Sequence, residues 1–262
     1  AGRVGKRYIF PWRNFMDRKN FEQKNYDSLG DNPELPFLGN LKGADFAPEK
    51  GFKIKTLENN HDIVIRVSTY IGESEKEKKH RIEHYKKGEK YFAELQEKYN
   101  IRIPKTQFVI GKDEHGYPAL YTIIERVHGK NLDERTSGEN DDVYIEELEE
   151  LYINLLRYFE DKHSTNEDIL NDFDNVQFVY GKRKNETENH IYLVDVDPTY
   201  GSHSSEYAYF LFQMAKMITE AEKSLGEKLL DARAKFKEVF ELLSAEEKKN
   251  INNGRINALL SD

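Results

Sequence analysis

The 262-residue chain sets 40 Lys and Arg against 48 Asp and Glu, a net charge of −8, with 37% hydrophobic and 12% aromatic residues. That balance argues against a nucleic-acid partner, and the absence of cysteine removes disulfides, thiolate metal sites and cysteine nucleophiles, as in a cytoplasmic protein. No apolar run approaches the roughly 20 residues of a membrane span, so no membrane partner is expected.

Residues 1–36 read as an arm that packs through Tyr8, Phe10, Trp12 and Phe15. Phe52-Lys53-Ile54-Lys55-Thr56-Leu57 alternates with period two, residues 58–61 form a turn, and 62–68 form a second strand. A long charged helix follows over 73–99, its apolar stripe running through Ile82, Tyr85, Phe92, Leu95 and Tyr99. Two strands near 106–110 and 119–127 flank a turn at 113–116.

The character changes after Gly129. A polar connector spans 133–142, and an amphipathic helix over 143–162 carries Leu148, Leu151, Leu155, Leu156 and Phe159. Two short strands come next, 176–180 and 191–195, followed by helices near 205–225, 227–243 and 245–260. Strands dominate the first half and helices the second, with a hinge near 126–132. That segregation predicts an α+β protein of two lobes.

Chemistry concentrates at the second short strand. Ile191-Tyr192-Leu193-Val194-Asp195-Val196-Asp197-Pro198 delivers two carboxylates one residue apart and stops at proline. Asn175 stands at the mouth of the preceding strand. Hard oxygen ligands in this arrangement suit Mg²⁺, which keeps waters and phosphate oxygens for its remaining positions.

Other joints carry further signals. Leu38-Gly39-Asn40-Leu41-Lys42-Gly43 places two glycines before a strand, Ile63-Val64-Ile65-Arg66 ends in a cation, and Glu89 lies on the long helix. Tyr121-Thr122-Ile123-Ile124-Glu125-Arg126-Val127-His128-Gly129 leaves a strand through a short connector. Taken in this order over about residues 37–225, these joints resemble the protein-kinase-like superfamily, including its aminoglycoside-phosphotransferase side.

The resemblance implies a β-rich lobe over 37–128 with one long helix, and a mainly helical lobe over 129–262. It implies Gly39 and Gly43 over the phosphates of ATP, and Arg66, where the family has lysine, paired with Glu89. The backbone of Glu125 and Val127 would meet the adenine edge, while Asn175, Asp195 and Asp197 would hold Mg²⁺. The catalytic base stays open between Asp168, within Asn166-Glu167-Asp168, and Asp172. A phosphotransferase acting on a protein or small-molecule hydroxyl follows, with two alternatives. One is a pseudokinase that binds nucleotide or a protein partner; the other is an interaction protein that binds no nucleotide.

The remaining chemistries lack support. His163, His190 and His203 do not have metal-ligand spacing, and neither a P-loop nor a Gly-x-Ser-x-Gly elbow occurs. The stretch 76–90 interleaves Lys and Arg with Glu and reads as a salt-bridged helix face.

Overall fold

Alternation of β-branched and polar residues builds the first unit, and a 3.6-residue apolar period builds the second. The computed structural model describes residues 41–45, 52–57, 60–68, 74–112, 118–134, 142–195, 199–201, 204–251 and 254–261. The arm at 1–36, the turn at 113–116, most of the connector at 133–142 and His203 lie outside the described residues. The chain divides into two units, Ala1–Lys86 with Lys105–Arg126, and Lys87–Pro104 with Val127–Asp262.

In the first unit, β1 (Leu41–Asp45), β2 (Phe52–Leu57), β3 (Asn60–Ser68), β4 (Thr106–Lys112) and β5 (Pro118–Glu125) form one sheet. Its order is β1-β2-β3-β5-β4, and all four pairings are antiparallel. The β2–β3 register shifts between Thr56 and Leu57, so that Leu57 faces Asn60. β3 therefore begins two residues before the expected strand. Helix α1 (Glu75–Tyr99) opens on a capping box, in which Glu77 accepts from the Ser74 N–H at 3.0 Å and returns its own N–H to Ser74 Oγ at 3.2 Å. The boundary between the units falls within this helix.

The second unit centres on α2 (Asp142–Thr165), where Leu148, Leu151, Tyr152, Leu155, Leu156, Phe159 and Lys162 are buried at spacings of three and four. Two small sheets accompany it. β6 (His128–Asn131), β8 (Phe178–Lys182) and β9 (His190–Leu193) pair in the order β6-β8-β9, and β7 (Ile169–Leu170) pairs with β10 (Tyr200–Gly201). Strand β6 occupies what reads in sequence as a connector. Gly129 faces Gly181 there; a Cβ on Gly129 would lie 2.0 Å from the Tyr180 carbonyl oxygen, and one on Gly181 2.4 Å from that of His128. Both positions need glycine because the opposing backbone fills the space.

Helices α3 (Ser204–Leu225), α4 (Leu230–Glu241), α5 (Ala245–Ile251) and α6 (Gly254–Leu260) complete the unit, the last two replacing one expected helix. α1, α2 and α3 are each followed by a left-handed residue: Asn100 (φ 54°), Asn166 (φ 54°) and Gly226 (φ 75°). At the end of α2 the Glu167 N–H bonds the Lys162 carbonyl at 3.0 Å and the Asn166 N–H bonds that of His163 at 3.3 Å, a Schellman closure. The core is aromatic, with Tyr152, Tyr158, Phe159, Phe178, Phe210 and Phe236 fully buried. No helix among the described residues is long and apolar enough to cross a membrane.

One ion cluster binds the C-terminal half of α1 to α2. The Lys162 ammonium, its side chain 5% exposed, meets Glu94 of α1 at 2.6 Å and Glu167 at 2.8 Å. Burial alone would lower the Lys162 pKa, but the two carboxylates hold it above its usual value. Beside it the Tyr99 hydroxyl and the Lys98 ammonium both reach Asp161 at 2.7 Å. Lys162→Ala removes two charge-assisted hydrogen bonds and leaves carboxylates that are 27% and 56% exposed and regain water, so it is expected to cost about 2 kcal/mol in urea denaturation. Glu167→Gln is expected to change the midpoint little, because the Glu167 side chain is 56% exposed.

The β8–β9 connection holds a second cluster. Glu186 accepts from the Arg183 N–H at 2.8 Å, from Arg183 Nε at 2.9 Å and from the Tyr192 hydroxyl at 2.7 Å. Burial opposes the charge, yet Arg183 and Tyr192 bring the Glu186 pKa down to about 2. A depressed carboxylate pKa contributes stability that is fully present above the unfolded value near 4.3 and fades as pH falls toward 2. Acid titration of stability is expected to show this loss, on the order of 1–2 kcal/mol after screening. In Glu186→Gln that component of the slope between pH 4.5 and 2 should disappear.

Candidate functional site

The site begins with the β8–β9 register. Phe178 faces Leu193, and one step beyond the ladder the Val194 N–H donates to the Gln177 carbonyl at 2.8 Å. The half-buried Asp195 therefore emerges beside the 3-10 turn Asn175–Gln177. Asp174 caps that turn: its Oδ1 accepts from the Asn175 N–H at 2.7 Å, and its own N–H donates to Gln177 Oε1 at 2.8 Å. Lys216 of α3 ion-pairs with Asp174, and that hydrogen bond raises the Lys216 pKa.

The structure brings Asn175 and Asp195 to one sheet end but turns the Asn175 amide away from solvent. Asn175 is 3% exposed. Its Oδ1 accepts from the Tyr152 hydroxyl at 3.0 Å and its Nδ2 donates to the Met217 carbonyl at 3.4 Å. Asp197 lies outside the described residues. Among the described residues no group of three or more His, Cys, Asp or Glu is arranged to hold a metal ion.

The two candidate bases flank β7. Asp168, just before the strand, accepts from Lys87 and from the Tyr91 hydroxyl at 3.1 Å. Burial, followed by the Asp168 charge, pushes the Tyr91 pKa up to about 12. The Lys87 ammonium also lies 4.9 Å from the Tyr200 ring centroid. Asn166 and Glu167, read in sequence as part of a catalytic triplet with Asp168, instead close α2 and hold Lys162.

Asp172, after β7, is exposed. Its two neighbours are both fixed. The Asn171 N–H donates to the Thr199 carbonyl at 3.1 Å and its Nδ2 to Glu206, while the buried Oδ1 of Asn171 has no hydrogen-bond partner among the described residues. Phe173 is 3% exposed and packs edge-on to Phe210 at 5.7 Å.

The other expected residues lie as follows. Gly39 is outside the described residues, and Gly43 sits within β1 opposite Lys55 rather than in a loop before a strand. Arg66 lies in β3 between Ile54 and Thr122. Glu125 ends β5 with its N–H bonded to the Lys105 carbonyl at 2.8 Å, and Val127 opens the second unit. Glu89, in α1, is 9% exposed.

Tyr152, Asp174, Lys216 and Asn171 escape the sequence reading. Asp174-x-x-Gln177 carries a capping signature that could have revealed the turn, and Tyr152 sits on the apolar stripe of α2, where a hydroxyl needs a partner.

Among solved structures the chain is similar to an apo pseudokinase, at 12% identity and a TM-score of 0.43, over 87% of this chain and 96% of that one. It is also similar to the bifunctional kinase-methyltransferase WbdD, at 12% identity and a TM-score of 0.39, over 87% of this chain and 51% of that one. Likenesses of this size do not assign a family. No protein-family model and no curated protein matches the sequence.

The buried amide predicts a stability effect independent of any ligand. Asn175→Ala removes the nearer acceptor of the Tyr152 hydroxyl, leaving it the Met217 carbonyl at 3.4 Å, at an expected cost of about 1–3 kcal/mol in metal-free denaturation, against roughly 1 kcal/mol for Tyr152→Phe. An unchanged midpoint for Asn175→Ala would show that the amide does not hold the turn.

Proposed function

We propose that the chain is a two-lobed, kinase-like protein that binds ATP with Mg²⁺ and transfers the γ-phosphoryl group to a protein or small-molecule hydroxyl. The observation that carries this proposal is the bond from the Val194 N–H to the Gln177 carbonyl, 2.8 Å, which brings the Asp195 strand end beside the Asn175 turn. Mg²⁺ is commonly held by one or two carboxylates while nucleotide phosphates and waters fill its other positions. One half-buried carboxylate at a strand end fits an ion carried in that way.

Asp195 would face the ion, with Asp197 as a second carboxylate, and the ion would neutralise phosphate charge. Asn175 would support the turn and would reach the ion only after releasing Tyr152. Arg66 would grip a phosphate in its planar fork, with Glu89 as its carboxylate partner. Gly39 and Gly43 would let backbone approach the phosphates, and the backbone of Glu125 and Val127 would meet the adenine edge.

Between the two bases, exposure favours Asp172. Asp172 is exposed in a loop fixed at Asn171 and Phe173, and Asp168 is half-buried, accepting from Lys87 and Tyr91. Asp172 would accept the proton of the acceptor hydroxyl as that oxygen attacks phosphorus. Two observations favour a pseudokinase as the second reading: the Asn175 amide is engaged inside the unit, and arginine stands where the family carries lysine.

MgATP at a hundredfold excess over its Kd is expected to raise Tm by roughly 5–10 °C, and Asp195→Ala should abolish that rise. An equal rise in Asp195→Ala would remove the metal assignment, and no rise in the parent chain would leave the interaction protein. In a turnover assay Asp172→Asn is expected to lose about 100-fold or more, with Asp168→Asn affecting stability more than rate. Nucleotide binding without turnover would select the pseudokinase.

A further inference from the structure

The loop that bears Asp172 runs along one side of α3. Asn171 donates its Nδ2 to Glu206, Phe173 packs edge-on to Phe210 at 5.7 Å, and Asp174 ion-pairs with Lys216. As the loop advances from 171 to 174, its partners advance along the helix from 206 to 216. Residue 172 therefore passes beside the turn of α3 that carries residues 206–210.

Tyr209 stands on that turn. It is 43% exposed, and every other described tyrosine is half-buried or buried. Its hydroxyl oxygen accepts from Nε2 of the buried Gln213 at 3.1 Å. A phenol that accepts one bond keeps a proton to give and a second lone pair. Gln213 thus steadies the oxygen and leaves it able to take a phosphoryl group. Burial, followed by the Asp172 charge, holds the Tyr209 pKa above its usual value. The phenol stays protonated at neutral pH, so its attack on phosphorus calls for a base beside it. The neighbouring Tyr207 is unsuited to that role: 3% exposed, it donates to the Glu167 carbonyl at 2.6 Å.

We propose that Tyr209 is a phosphorylation site that the chain modifies itself, with Asp172 as the base. The inference rests on the nucleotide reading above and names a protein hydroxyl as one acceptor for it. The Tyr209 oxygen forms its bond to the γ-phosphorus of ATP as the bond from that phosphorus to the bridging oxygen breaks. The phenolic proton passes to Asp172, and ADP leaves. Base and acceptor belong to one loop and the helix it lies along, so the transfer stays within one chain.

The test incubates the full chain with MgATP and no other acceptor, then locates phosphate by peptide mass spectrometry while Tm reports nucleotide binding. Phosphate on Tyr209 is expected, formed with a rate constant that does not change on dilution of the protein. Tyr209→Phe keeps the ring and should remove that label, and Asp172→Asn should slow it about 100-fold or more. A Tm rise without phosphate on Tyr209 overturns this inference alone, whereas no Tm rise overturns it together with the nucleotide reading. Phosphate on Thr199 or another hydroxyl in place of Tyr209, labelling that slows on dilution, or labelling undiminished in Asp172→Asn overturns it equally.

Discussion

The second unit hangs on one buried ammonium. Lys162 can stay charged at 5% exposure only because Glu94 and Glu167 stand at 2.6 and 2.8 Å. Such a cluster adds little net stability compared with an apolar replacement, but it tolerates few alternative arrangements. It requires that α1 present Glu94, that α2 end within one turn, and that the chain reverse sharply to return Glu167. The left-handed Asn166 makes that reversal, and the Tyr207 hydroxyl clamps it by donating to the Glu167 carbonyl at 2.6 Å. The direction of β7 follows, secured by the Leu170 N–H on the Tyr158 hydroxyl at 2.9 Å, and β7 delivers the loop that bears Asp172.

That loop joins rigid ends to an accessible middle. Asn171 is held by Thr199 and Glu206, Phe173 by the aromatic core, and Asn175 by Tyr152 and Met217. A carboxylate displayed between such anchors spends little conformational freedom on being oriented. Asp168 is half-buried, and its carboxylate accepts from Lys87 and Tyr91. Two aspartates four residues apart thus differ in exposure, Asp168 half-buried against α1 and Asp172 exposed.

Periodic features were legible in sequence. The stripe through Leu148, Leu151, Leu155, Leu156 and Phe159 marks α2 because a 3.6-residue repeat leaves one apolar face, and the alternation of 52–57 marks β2 because pleating separates its faces. Long-range pairings were not legible. Nothing local to Asn175 announces that its amide points at Tyr152, 23 residues earlier, and at Met217, 42 residues later. Asn166-Glu167-Asp168 is ambiguous for a related reason: an Asn before two carboxylates serves a helix terminus as readily as a catalytic loop. Strand β6 was hidden because the tetrapeptide His128-Gly129-Lys130-Asn131 has no apolar alternation to read, and its pairing depends on a second glycine at 181.

The facing glycines of β6 and β8 have a consequence for how this protein can diverge. Most tight cross-strand positions are negotiable, since a larger residue on one strand can be offset by a smaller one opposite. Here the obstruction at each glycine is the other strand's main chain, with the Tyr180 carbonyl 2.0 Å from any Cβ at 129 and the His128 carbonyl 2.4 Å from any Cβ at 181. No partner is left to shrink. Positions 129 and 181 should therefore behave as two independent, unrescuable vetoes in a double-substitution scan, with no pairwise compensation between them.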